Sequence, residues 1–328
     1  MNAMPFARGL SAGLLSAVSL MLAGTSAPAQ DYPTKEIHAI CMFPPGTGAD
    51  ILVRFFAAKL QEVIGKSVVV ENKVGAQGSI ATEAVARAKP DGYTIAITPA
   101  SSTLAMAAHI FKKLSYDPVK DFAPVTPLAT VSFSIVVDGK KPFRSMADLT
   151  AFLKSKDARG FYGGAANTGI VSSELYLRAI GTKSQPVSFR TPVDMLGAMA
   201  NGDLDFVSAD NLWTVGQAKE GRVKALAVTG ASRSSALPDV PTLKESGFPD
   251  IAVEAWWGVY VPAGTPQPVI DKLRVAFEKI MAMPDTKAFL TRGAMDPLAG
   301  NADTLRALLV RDLEKWGEYV ELAKIEKQ

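Results

Sequence analysis

An α/β fold, with parallel strands covered by helices and the chain shared between two domains, is what the sequence predicts, and three observations predict it. Short apolar runs of strand length alternate with segments of helical periodicity from residue 37 onward. Two strand-to-helix turns, residues 44–50 and 163–169, are built from glycine and other small residues. The length of 328 residues is more than one core usually serves, yet no Gly/Ser linker or repeat divides the chain, so ordered chain must cross between domains.

Taken in order, residues 37–43 read as a buried strand and residues 44–49 turn into a helix. Leu52, Phe55, Phe56, Leu60, Val63 and Ile64 form one apolar face of that helix, and Gly65 stops it. Residues 67–70 form a second strand. Val74-Gly75-Ala76-Gln77-Gly78 leads into a helix over residues 79–88, closed by Pro90-Asp91-Gly92, and residues 93–98 form a third strand. Strands at residues 132–137 and 225–229 bracket a middle segment with βα units of its own. Thr265-Pro266 is expected to cap a helix carrying Val269, Ile270, Leu273, Phe277 and Ile280. The last helix, residues 302–324, carries Leu305, Leu308, Leu309, Leu313, Trp316 and Val320. The expected domains are residues 30–128 with 231–328, and residues 129–230.

Composition removes several function classes. The net charge of +3 gives no broad basic face, so no nucleic-acid partner is expected. One cysteine rules out an intrachain disulfide and a Cys-cluster metal site. Two histidines leave little for a zinc site or a Ser-His-Asp triad. No metal and no cofactor is expected.

Residues 1–29 stand apart from the fold. Arg8 is their only charge, residues 9–23 are apolar or small, and Ala27-Pro28-Ala29 supplies the small-x-small pattern of signal-peptide cleavage. The run is too short to span a membrane and stay there. Cleavage after Ala29 is expected, and a disulfide-free exported chain fits a bacterial periplasm.

Both glycine-rich turns open a helix, where free N–H groups and the helix dipole favour an anion. Each also reads as an ordinary tight βα turn, with Asp50 as an N-cap or first-turn acid. A dinucleotide site is a further reading of the first, since Glu71 stands about twenty residues on, but Ile51 occupies the third glycine position. One such turn in each domain suggests two helix N-termini facing one cleft, suited to a small acid.

A family resemblance follows from an ordered set of motifs. Tyr32-Pro33, Phe43-Pro44-Pro45-Gly46-Thr47-Gly48-Ala49-Asp50, Val69-Val70-Glu71-Asn72 and Lys89-Pro90-Asp91-Gly92-Tyr93 come first. Asp210-Asn211, the run from Gly221 to Thr229, Pro238-Asp239-Val240-Pro241-Thr242 and Pro262-Ala263-Gly264-Thr265-Pro266 complete it. The set resembles the Bug family, the periplasmic solute receptors of tripartite tricarboxylate transporters. The resemblance implies a type II periplasmic binding protein: two doubly wound α/β domains with a ligand cleft between them, closing on a carboxylate held mostly by backbone amides and waters.

Carried over residue by residue, it places ligand contacts at Phe43, Pro45, Gly46, Thr47, Gly48, Ala49 and Asp50 in the first turn. In the second they fall at Tyr162, Gly164, Ala165, Ala166, Asn167, Thr168 and Gly169, with Arg190 and Asp210 beyond. The sequence departs from the family where Thr47 and Ala49 replace glycine. It departs again where Gly164, Ala165, Ala166 and Asn167 occupy a loop usually rich in serine and glycine, and at Phe189-Arg190-Thr191 in place of Tyr-Lys-Gly, leaving room for a less polar acid.

Other residues have plainer expectations. Arg190 can pair with a ligand carboxylate or stay solvated, and Asp210 can accept from a ligand or cap the next helix. His38 and His109 belong to no acid–base constellation and read as structural or exposed, and Cys41 reads as a buried small residue. Trp256 and Trp257 read as cleft wall or core. Asp203 and Asp205 alternate on a strand-like stretch and form no paired-carboxylate site. The sequence therefore points to a monomeric binding protein that hands a small organic carboxylate to integral membrane transporter subunits. The alternatives are an exported α/β enzyme, hydrolytic or nicotinamide-linked, and a periplasmic sensor partner. No G-x-S-x-G elbow supports hydrolysis.

Overall fold

The computed structural model describes residues 32–164, 167–189 and 192–327. The expected leader and cleavage point, and the expected contacts Ala165, Ala166 and Arg190, lie outside the described residues. The first elements are β1 (Ile37–Cys41), α1 (Gly48–Ile64), β2 (Val68–Asn72), α2 (Ser79–Ala86), β3 (Thr94–Thr98), α3 (Ala107–Ile110) and the long β4 (Phe122–Asp138). There follow α4 (Met146–Ser155), β5 (Gly160–Gly164), α5 (Asn167–Ala179), β6 (Ser184–Ser188), α6 (Pro192–Asn201), β7 (Phe206–Asp210), α7 (Asn211–Lys219) and β8 (Val223–Val228). The chain closes with β9 (Glu254–Pro262), α8 (Gln267–Ala282), α9 (Pro284–Arg292), β10 (Asp296–Pro297) and α10 (Ala302–Leu322).

The strands run in the order β2-β1-β3-β9-β4-β7-β5-β6, with β8 and β10 also paired to β4. β1 pairs in parallel with β2 and β3, and β5 in parallel with β6 and β7, giving the two parallel cores expected of an α/β fold. What joins them is β4. Residues 122–132 pair antiparallel with β9, while residues 133–138 pair antiparallel with β7 and β8. The changeover falls between Ser132 and Phe133 and is held by Thr229, whose Oγ1 accepts from Phe133 N at 3.0 Å and donates to Val253 O at 2.7 Å. Beside it, Ala231 N donates to Glu254 Oε1 at 2.8 Å.

Helix ends follow local chemistry. Thr47 caps α1 and Gly65 ends it in the left-handed region at φ +67°, where a side chain would be strained. Leu52, Phe56 and Leu60 are fully buried as the periodicity predicts, joined by Val53 and Ala57. Phe55 instead stacks on Phe289 of α9, at 3.9 Å and nearly parallel, so the helix carries two apolar faces. The expected buried residues of α8 are all in the core. On α10 the apolar stripe admits Asp312, 5% exposed, because the Trp256 indole N–H donates to its carboxylate at 2.6 Å.

Several boundaries differ from the sequence reading. The strand expected at residues 132–137 is the second part of β4. Helix α2 ends at Ala86 and α10 at Leu322, each two residues earlier than expected. Thr265 does not cap α8: its hydroxyl donates to Pro262 O at 2.7 Å, and Pro266 occupies the N-cap position with no side-chain bond. Asp203 lies in a turn; Asp205 is buried just before β7, accepting from Phe161 N at 2.9 Å and Lys156 Nζ at 2.5 Å. No helix among the described residues is long and apolar enough to cross a membrane.

Candidate functional site

Residues 44–50 connect β1 to α1, and hydrogen bonds from below hold their shape. Thr47 Oγ1 donates to Pro44 O at 2.9 Å and accepts from Asp50 N at 3.3 Å. The Asp50 carboxylate, 1% exposed, accepts from Gly46 N at 2.8 Å, Arg54 Nε at 2.9 Å and Asn72 Nδ2 at 2.7 Å. Burial alone would push this carboxyl up, but the donors from Arg54, Asn72 and Gly46 outweigh it and hold the pKa at about 2. Asp50 is thus a first-turn acid whose charge faces the protein and braces the loop. Helical geometry leaves the Gly48 and Ala49 N–H groups unpaired within α1. A Cβ at Gly48 would meet nothing within 4 Å.

The next loop is more strained. Gly75, Ala76, Gln77 and Gly78 have φ of +135°, +43°, +48° and +93° in succession, a costly run for two residues that carry side chains. Gly78 packs against the end of the Met42 side chain, which would have to shift to admit a Cβ there. After β3 the chain makes a π-helical turn, Ser101–Met106, of a kind frequent at functional sites. Tyr116 OH donates to Thr103 O at 2.6 Å and secures the widened turn.

In the second domain, β5 ends at Gly164 and α5 begins at Asn167. Gly169 is packed so tightly on β7 that a Cβ would lie 2.6 Å from Ser208 O. Tyr162 is fully buried with its hydroxyl donating to Glu174 at 2.6 Å, and burial raises its pKa. Asp210 caps α7, accepting from Trp213 N at 2.9 Å.

An open cavity of about 580 Å³ lies among these loops. Phe43, Asn167 and Thr168 are the expected site residues that line it. Pro45, Gly46, Thr47, Gly48 and Ala49 stand outside its lining at the mouth of α1, Asp50 and Tyr162 are buried, and Gly164 and Gly169 pack against their own domain. Sequence reasoning missed Met42, Val74, Gly75, Gln77, Gly78, Ser102, Met106, Phe133 and Ala255, which complete the wall. Gly75-x-x-Gly78 after the second strand was the available signal. Asn167 Nδ2 donates to Met106 Sδ at 3.6 Å, bringing the start of α5 against the π-helical turn.

The remaining candidates are structural. His38 pairs with Glu71 at 2.6 Å, His109 Nε2 lies 2.6 Å from Leu313 O, and Cys41 is buried in β1, where burial raises its pKa. Trp256 is core, while Trp257 stacks under Phe43 with ring centres 5.8 Å apart. A larger recess of about 740 Å³ lies beside Lys35, His38, Arg87 and Tyr93, at the opposite ends of β1 and β3. Its charges are partly neutralised by the Lys35–Asp91 and His38–Glu71 pairs, and no helix N-terminus among the described residues opens into it.

Several known proteins are similar to this chain in sequence and structure. The profile of the tripartite tricarboxylate transporter family receptor matches residues 52–325. The protein BugT of Bordetella pertussis is 28% identical over 94% of this chain and 96% of its own. Two solved structures superpose closely. One is Rpa4515 of R. palustris with adipate, 28% identical with a TM-score of 0.76 over 91% of this chain and 100% of that one. The other is MatC of Rhodopseudomonas palustris with bound malate, 27% identical with a TM-score of 0.71 over 88% of this chain and 100% of that one.

Proposed function

The chain belongs to the tripartite tricarboxylate transporter receptor family, whose members are solute-binding receptors and not enzymes, and from that premise we propose that it captures a small organic carboxylate and delivers it to the membrane subunits of such a transporter. Its type II periplasmic binding protein fold supports capture between two domains, residues 30–128 with 231–328 and residues 129–230. The domains close about crossings near residues 128–132 and 228–231. The protein acts as a monomer in the periplasm after removal of residues 1–29.

One observation carries this reading: the cavity is bounded by Phe43, just past β1, and by the first residues of α5, Asn167 and Thr168. Helix N-termini bind carboxylates through backbone N–H groups without any cationic side chain. Gly48 and Ala49 supply such groups at α1, with Pro45, Gly46 and Thr47 shaping the approach as the domains close. Thr168 and Gly169 supply them at α5, with Ala165, Ala166 and Arg190 as further ligand contacts and Asp210 accepting from a bound water or ligand hydroxyl. The bound adipate and malate of the two related structures fit this chemistry.

Mass spectrometry of the protein purified natively from periplasm tests the reading. A small acid released unchanged on unfolding is the expected result. A preparation that holds no acid, and whose melting temperature no carboxylate raises, would refute it.

A further inference from the structure

We propose that the solute has an aromatic body, an inference that rests on the carboxylate-receptor reading above. Its basis is the cavity wall between the two carboxylate-binding ends. Met42, Phe43, Met106 and Phe133 form much of that wall, and none of the described residues that line it carries a charge. Two of its four polar side chains are engaged within the protein: Ser102 Oγ donates to Pro99 O at 2.9 Å, and the Asn167 amide donates to Met106 Sδ at 3.6 Å. A short hydroxy-dicarboxylate displays polar oxygens along its whole length, and those between its ends would leave water for a wall that is mostly apolar. A ring has the opposite demand. Its faces and edges suit phenylalanine rings and methionine sulfur, whose polarisability favours aromatic contacts.

Contacts within the protein also hold the wall in place. Met42 is wedged against Gly78, with the Thr98 hydroxyl 3.7 Å from its sulfur, and Phe43 rests on Trp257. Met106 is fixed at the end of the π-helical turn by the Asn167 contact. Apolar surface presented by fixed side chains loses little freedom on binding, which favours a rigid, flat solute over a flexible chain.

Calorimetry on the mature protein, stripped of bound acids by unfolding and refolding, decides the matter with benzoate, phenylacetate, hexanoate, adipate and malate as probes. At least one aromatic acid is expected to bind about tenfold more tightly than each of the other three. Met106→Gln, close in size to the parent, is expected to weaken the aromatic acid about tenfold while leaving adipate within about threefold. Phe43→Leu, at a half-buried position, gives the same contrast if Met106→Gln fails to fold. Tightest binding of malate or adipate would overturn the aromatic body and leave the carboxylate receptor standing. Hexanoate binding as tightly as the aromatic acids would overturn it as well. Binding of none of the five, with no co-purifying acid, would remove both readings together.

Discussion

Replacing Asp50 with asparagine, a neutral side chain of the same shape, isolates what one buried charge does for the loop before α1. Three donors converge on this carboxylate, from Gly46, Arg54 and Asn72, and together they lower its pKa from 3.8 to about 2. A tenfold change in proton affinity is worth about 1.4 kcal/mol, so the ionised form contributes about 2.4 kcal/mol of stability at pH 7. The folded pKa is depressed, so this contribution is present above the unfolded value and disappears as pH falls through the folded one. Linkage leaves about 2.2 kcal/mol at pH 4 and about 1.3 kcal/mol at pH 3. Urea unfolding of both proteins at the three pH values measures the gap directly, because every other titrating group is common to both. A gap below about 0.5 kcal/mol at pH 7, or one that does not shrink by pH 3, would refute the account of Asp50 as a brace.

Further outcomes are expected. Gly48→Val adds a side chain into open space, so melting of the free protein should stay within about 2 °C while carboxylate affinity falls more than tenfold; normal affinity by calorimetry would remove the α1 terminus from the site. Gly169→Ala should instead lower stability by about 1–3 kcal/mol in a denaturant melt, because its Cβ meets the Ser208 carbonyl; an unchanged midpoint would show that α5 can shift away from β7. Arg190→Ala should cost at most about 1.5–3 kcal/mol of binding, since backbone donors survive it, and complete loss by calorimetry would make the guanidinium the anchor. N-terminal sequencing of the exported protein should begin at Gln30, and a start at Met1 would contradict the expected processing.

The fold was largely readable because its signal is local. Strand-length apolar runs and amphipathic faces placed β1, β2, β3, α1, α8 and α10 within a few residues of where they lie. The first part of β4 escaped because it contains Pro124 and Pro127, which argue against a strand. The structure accommodates both where the β4–β9 register slips, between Pro124 and Thr126 and between Pro127 and Ala129. The site was readable only in part, for a different reason. Glycine-rich turns announce themselves, whereas Met42, Met106, Phe133 and Ala255 have the apolar character of any core residue. Which of them faces a cavity depends on partners far along the chain. Asp50 shows the same limit: its brace includes Asn72, 22 residues away, a pairing that no spacing rule supplies.

The position of β9 has a consequence for how the chain is born. It lies between β3 and β4 in space, yet its residues follow those of β3 by nearly half the length of the protein. A nascent chain carrying only β1, β2 and β3 holds a sheet whose inner edge has no neighbour, and the leading segment cannot lock into its final form until residues 254–262 have emerged. The middle segment, by contrast, has most of its strands in one continuous stretch. The part made first is thus among the last to complete its sheet, which closes only once residues 254–262 have been made.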